Sequence, residues 1–164
     1  MSTKTTPQTC ILCIVTHGFD ELETINLIST LRQAGLCIKI IAATSGLVSG
    51  TYGICLMPDL TFSDLDCLAK TVTFSAVILP ENRQGLARLE SDPRLHNLLH
   101  QVLASRGRIV AGSEGQQFLR KISIGVPGSG SSSGEPLLLL REQGQSMDTF
   151  VRSLLYSMGQ PLRA

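Results

Sequence analysis

The chain has 164 residues, 43% of them hydrophobic, with 14 Lys and Arg set against 13 Asp and Glu for a formal net charge of +1. This length and apolar content fit one globular domain over residues 1–164, and the charge balance excludes a strongly basic nucleic-acid footprint. The polar tail at residues 1–9 lacks the apolar stretch of a secretion signal and no run is long enough to span a membrane, so a cytoplasmic protein is expected, with neither nucleic acid nor membrane as partner.

Residues 10–15 (CILCIV) are apolar throughout, the pattern of a strand buried on both faces. His17, Gly18 and Phe19 turn the chain, and a helix is expected from Asp20 or a neighbour, with Phe19, Leu22, Ile25, Ile28 and Leu31 as its stripe and Gly35 closing it. Residues 36–42 read as a second buried strand, which makes the opening a right-handed βαβ unit. Residues 45–58 suit a short hairpin or an edge extension, and residues 59–70 a loop with a short helix from Ser63. A third core strand is expected at 76–79, followed by a polar turn at 81–85. Asp92 then Pro93 starts a helix with the stripe Leu95, Leu98, Leu99, Val102 and Leu103. His96 and His100 lie on its other side; without further ligands nearby they read as a solvated face, not a metal site.

Residues 108–117 (RIVAGSEGQQ) carry the most chemical information. An apolar strand breaks at Ser113 between Gly112 and Gly115, then continues as a helix through Phe118 and Leu119. That pattern resembles a nucleophile elbow, where small neighbours relieve crowding at a strained corner. Backbone N–H groups and the helix N-terminus would then offer an oxyanion or anion site. An ordinary βα loop needing small residues is the competing reading. Residues 125–134 (GVPGSGSSSG) are a low-complexity, flexible loop by composition. A last strand is expected at 136–140, and a last helix from Ser146 with the stripe Met147, Phe150, Val151, Leu154, Leu155 and Met158. The five cysteines, at 10, 13, 37, 55 and 67, read mostly as small buried hydrophobes. Cys10 and Cys13 fall on opposite faces of the first strand, against a chelate or redox pair.

Five strands alternating with helices imply an α/β, flavodoxin-like fold: an open, mostly parallel sheet with helices on both faces. Ligands in such sheets bind beyond the strand C-termini, where strand order reverses. That rule gathers His17, Asp20, Glu21 and Glu23 with Glu81, Asn82, Gly112, Ser113, Glu114 and Gly115.

Residues 18–24 (GFDELET), 31–35 (LRQAG), Pro58-Asp59, 77–80 (VILP) and 107–111 (GRIVA) together resemble segments of the ThiJ/PfpI superfamily in the same order. The resemblance implies a homodimer; neither cofactor nor metal is expected. It also implies chemistry by an elbow cysteine whose thiolate is hydrogen-bonded by a protonated glutamate. Glu23 matches that glutamate, whereas the elbow position is Ser113. Where the family has Pro-Gly-Gly the chain has Pro80-Glu81-Asn82, and no histidine follows His100.

The first expectation is therefore a catalytically degenerate member, a small-molecule-binding, stress-related or scaffolding domain with a small carbonyl or anionic ligand; in every reading Glu23 is expected to be buried beside Ser113 with a raised pKa. The second is a serine hydrolase with Ser113 as nucleophile, His17 as base and Glu21, Glu23 or Glu81 as orienting carboxylate. The third is a glyoxalase or deglycase activity carried by Ser113 and Glu23.

Overall fold

The computed structural model describes residues 8–124, 138–140 and 145–157. In chain order the elements are β1 (Gln8–Ile14), α1 (Glu21–Gln33), β2 (Ile38–Ala42), β3 (Val48–Ser49), β4 (Cys55–Leu56) and β5 (Leu60–Thr61). A 3₁₀ turn at Phe62–Asp64 leads into α2 (Leu65–Leu68), β6 (Val72–Ile78), α3 (Arg83–Leu89) and α4 (Pro93–Ala104). The chain continues through β7 (Arg108–Ala111), α5 (Ser113–Lys121), β8 (Leu138–Leu140) and α6 (Met147–Ser157).

One sheet runs in the order β5-β2-β1-β6-β7-β8 with every pairing parallel, and β3 and β4 form a separate antiparallel hairpin. This is the expected flavodoxin-like α/β fold, with the two-residue β5 added at one edge. Alternation along β1 divides the core. Leu12 and Ile14 pack with the apolar faces of α2 to α5, whereas Ile11, Cys13 and Val15 pack with α1 and α6. Chain order reverses across β1 and β6, opening a crevice at their C-terminal ends.

Several local expectations change. Residues 83–89 form α3 in place of the expected polar turn: Asn82 Oδ1 accepts from Gly85 N at 3.1 Å as an N-cap, and Leu86 and Leu89 are buried. Helix α1 is turned relative to the expected stripe. It buries Leu27, Ile28 and Leu31 with Glu21, and leaves Leu22 82% and Ile25 38% exposed. The third core strand begins earlier, at Val72. His96 is half-buried, its Nε2 2.7 Å from the Glu90 carbonyl, while His100 is exposed.

Cys10 does more than fill core space, because the structure joins it to Cys37 in a disulfide, with Cα atoms 4.9 Å apart. The register pairing Ile11 with Ile38 places residues 10 and 37 side by side at the ordinary spacing of neighbouring strands. Residues 125–134 and Met158 lie outside the described residues.

Candidate functional site

Three connections meet at the crevice, those following β1, β6 and β7. The first turns at Gly18, whose φ of +81° is favoured by the absence of a Cβ. Asn82 ties this turn to the second connection. Its Nδ2 donates to the His17 carbonyl at 2.8 Å and lies 3.4 Å from Thr16 Oγ1, while its Oδ1 caps α3. Asp20 caps α1 by accepting from Glu23 N at 2.8 Å. Between these connections lies a cavity of about 60 Å³, bordered by Asp20, Glu23, Thr24, Pro80, Glu81, Asn82 and Gly112 over an apolar floor that includes Cys13, Phe19 and Phe150. Such a space holds on the order of four waters, so it suits only a ligand of few non-hydrogen atoms. Burial pushes the Cys13 thiol up to about 12, against a smaller opposing effect of the Arg32 charge. Cys13 is therefore a protonated floor residue at neutral pH, not a nucleophile.

Glu81 is the decisive side chain. Its Oε1 accepts from Gly112 N at 2.7 Å and Gly115 N at 3.2 Å, and its Oε2 accepts from Glu114 N at 3.1 Å. Gly112 is the N-cap of α5 and supplies no side-chain hydrogen bond. The cap instead crosses over from the β6–α3 connection, as a carboxylate at the positive end of the helix. A Cβ on Gly112 would overlap the Glu81 carboxyl group, so the close approach requires glycine. The anion site expected at the start of this helix is present, and the chain's own carboxylate occupies it.

Ser113 is not held at a strained corner. It is the exposed first residue of α5, and the only described non-glycine residues with positive φ are Arg106 and Ser123. The elbow expected from the sequence is here an ordinary strand-to-helix step, because Gly112 takes the turn in extended conformation, with φ −92° and ψ −155°. Among the described residues no base is hydrogen-bonded to Ser113. His17 is exposed and faces the hairpin, its Nδ1 accepting from Ser49 N at 3.1 Å.

Of the other residues expected around the pocket, Glu81, Asn82 and Gly112 line it, and His17, Glu21, Glu114 and Gly115 do not. Glu23 is half-buried and on the pocket wall; Ser113 is outside it. Glu21, only 3% exposed, is buried beneath the 50–54 turn, where Oε1 accepts from the backbone N–H groups of Tyr52 and Ile54. Burial there opposes ionisation, but the backbone donors outweigh it and hold the carboxyl below its usual range. A Cβ on Gly50 would overlap this carboxyl group as well. Glu114 borders a different groove, between α3 and α5, with Arg83 and Lys121.

Sequence reasoning places Glu81 at the pocket but not in the anion site; it gathers Asp20 at the crevice, where that residue lines the wall, and it misses Thr24. The glycine at 112 is the available signal, since a helix N-cap without a side chain leaves N–H groups for some other acceptor.

A family model described as DJ-1/PfpI family matches residues 9–128. The chain belongs to the DJ-1/PfpI family. Among solved structures, this DJ-1/PfpI chain is similar to a cysteine-to-alanine mutant of a DJ-1 superfamily protein from Salmonella typhimurium, with a TM-score of 0.69, 20% identity, and coverage of 92% of this chain and 91% of that one. It is also similar to Drosophila melanogaster DJ-1beta, with a TM-score of 0.71, 17% identity and coverage of 92% and 89%. Schizosaccharomyces pombe DJ-1 aligns with a TM-score of 0.64, 16% identity and coverage of 92% and 90%. At these identities the likeness shows the fold. No curated protein matches the sequence.

Proposed function

We propose that this DJ-1/PfpI protein is catalytically degenerate and acts as a small-molecule-binding domain in a stress-related or scaffolding role. One observation carries the reading: the N–H groups at the start of α5, where an oxyanion would have to be stabilised, already hold the Glu81 carboxylate. An oxyanion developing there would meet a like charge instead of free donors. A hydroxyl at Ser113 with no hydrogen-bonded base among the described residues is a weak nucleophile. Because Glu81 already uses the donors an anion would need, a small neutral carbonyl compound fits the pocket better than an anionic one.

A homodimer is part of the same proposal. Leu22 and Tyr52, 82% and 84% exposed, stand on α1 and on the hairpin turn beside it, and would give a second copy an apolar face to cover.

The test is turnover of methylglyoxal and of an aryl ester by the purified protein and its Ser113→Ala variant. Neither protein is expected to exceed the buffer rate. Turnover that disappears in the variant would make Ser113 a catalytic nucleophile and overturn the proposal.

A further inference from the structure

The disulfide lies away from the crevice and plays no part in the proposed binding role. Cys10, at the start of β1, and Cys37, just before β2, stand on neighbouring parallel strands and are 27 residues apart in sequence. The covalent loop they close contains all of α1, and with it the wall residues Asp20, Glu23 and Thr24. The two residues differ in access. Cys10 is 2% exposed, whereas Cys37 is only half-buried. We propose that Cys10 and Cys37 are a reversible thiol–disulfide staple on α1, in which Cys37 meets a small-molecule disulfide and Cys10 resolves the intermediate.

The chemistry is ordinary exchange. The Cys37 thiolate attacks one sulfur of the small disulfide, forming a mixed disulfide and expelling one thiolate. The Cys10 thiolate then attacks the Cys37 sulfur, closing the Cys10–Cys37 bond and expelling the second thiolate. Overall the two protein thiols give up two electrons and two protons, and one small disulfide becomes two small thiols. Backbone pairing supplies the alignment, since Ile11 N donates to the Cys37 carbonyl at 2.8 Å and holds the two positions together before any sulfur reacts. Cys13 does not compete, being buried in the pocket floor, whereas Cys55 and Cys67 are exposed and would react separately.

The experiment uses the full chain carrying Cys55→Ser and Cys67→Ser, reduced and then exposed to glutathione disulfide. Intact mass is expected to fall by two hydrogens, peptide mapping to join Cys10 to Cys37, and dithiothreitol to reverse both. Closing a loop of this length restricts the unfolded chain, so oxidation should raise Tm by roughly 7–14 °C. Adding Cys10→Ser should trap a glutathione adduct at Cys37, while Cys37→Ser should leave Cys10 unmodified. Absence of the crosslink or of the Tm rise would overturn the staple. An adduct at Cys10 in the Cys37→Ser protein, with none at Cys37 in the Cys10→Ser protein, would overturn the order of attack. Should either added variant fail to fold, the mass and Tm of the double-serine protein decide the staple by themselves.

Discussion

Replacing Glu81 by Ala tests the feature on which the reading of the pocket depends. The substitution removes the acceptor for three backbone N–H groups, those of Gly112, Glu114 and Gly115, at a helix whose N-cap has no side chain. Loss of a side-chain N-cap costs about 1 kcal/mol, and loss of a negative charge at a helix N-terminus about 0.3–1 kcal/mol more. Glu81 is exposed, so truncating it opens a path for water to the freed donors, and the full penalty of a buried unsatisfied group is not added. The total is about 1–2 kcal/mol, which for a domain of this size lowers Tm by roughly 3–8 °C. Glu81→Gln keeps one acceptor oxygen without the charge and should lose about half as much. Thermal unfolding followed by circular dichroism at low ionic strength measures both variants. The vacated N–H groups should then take up a small carboxylate, so formate, but not an equal concentration of chloride, should recover part of the Tm lost in Glu81→Ala and leave the parent protein unchanged. A Glu81→Ala variant within about 1 °C of the parent, insensitive to formate, would refute the claim that this carboxylate occupies a real anion site.

Gly112→Ala places a Cβ where the Glu81 carboxyl group sits, so it should expel that side chain and destabilise the protein by an amount similar to Glu81→Ala. In the double variant the two effects should fall well short of additive, and an additive cycle from chemical denaturation would contradict the contact. A third expectation concerns Asp92, the N-cap of α4. Its hydrogen bonds to the Arg94 side chain are the largest influence, ahead of the opposing effect of burial, and they hold its carboxyl below the ordinary value of 3.8. A folded-state value below the unfolded one stabilises the protein above about pH 4, and that contribution is lost as pH falls through the lowered value. Asp92→Asn should therefore flatten the acid limb of a stability–pH profile below about pH 4; an unchanged limb would show that the Arg94 contact contributes nothing.

Much of the fold is legible in the sequence because its signals are local. Continuous apolar runs at 10–15 and 36–42 mark strands covered on both faces, and Asp92-Pro93 with its leucine stripe marks α4 within a residue of where it begins. The ordered family segments lead to the same sheet. Helix α3 carries an equally local signal in the Asn82 cap, but Gly85 inside it makes the stretch read as a turn. The reason for that glycine is tertiary: a Cβ there would overlap Thr16 on the connection after β1.

Three features were decided only when the strands took their places. Propensity and periodicity describe one segment at a time, while a carboxylate finds its donors across segments. Glu81 reaches the start of α5 because β6 and β7 are neighbours. Glu21 leaves the crevice because the 50–54 turn offers backbone N–H groups at its own end of α1. Cys10 meets Cys37 because β1 and β2 pair in one register. The sequence alone determined a parallel sheet with a crevice beyond β1, β6 and β7; which acidic side chains stay there, and which charge fills which set of N–H groups, was settled by strand order and register, since only those bring distant donors and acceptors within hydrogen-bonding distance.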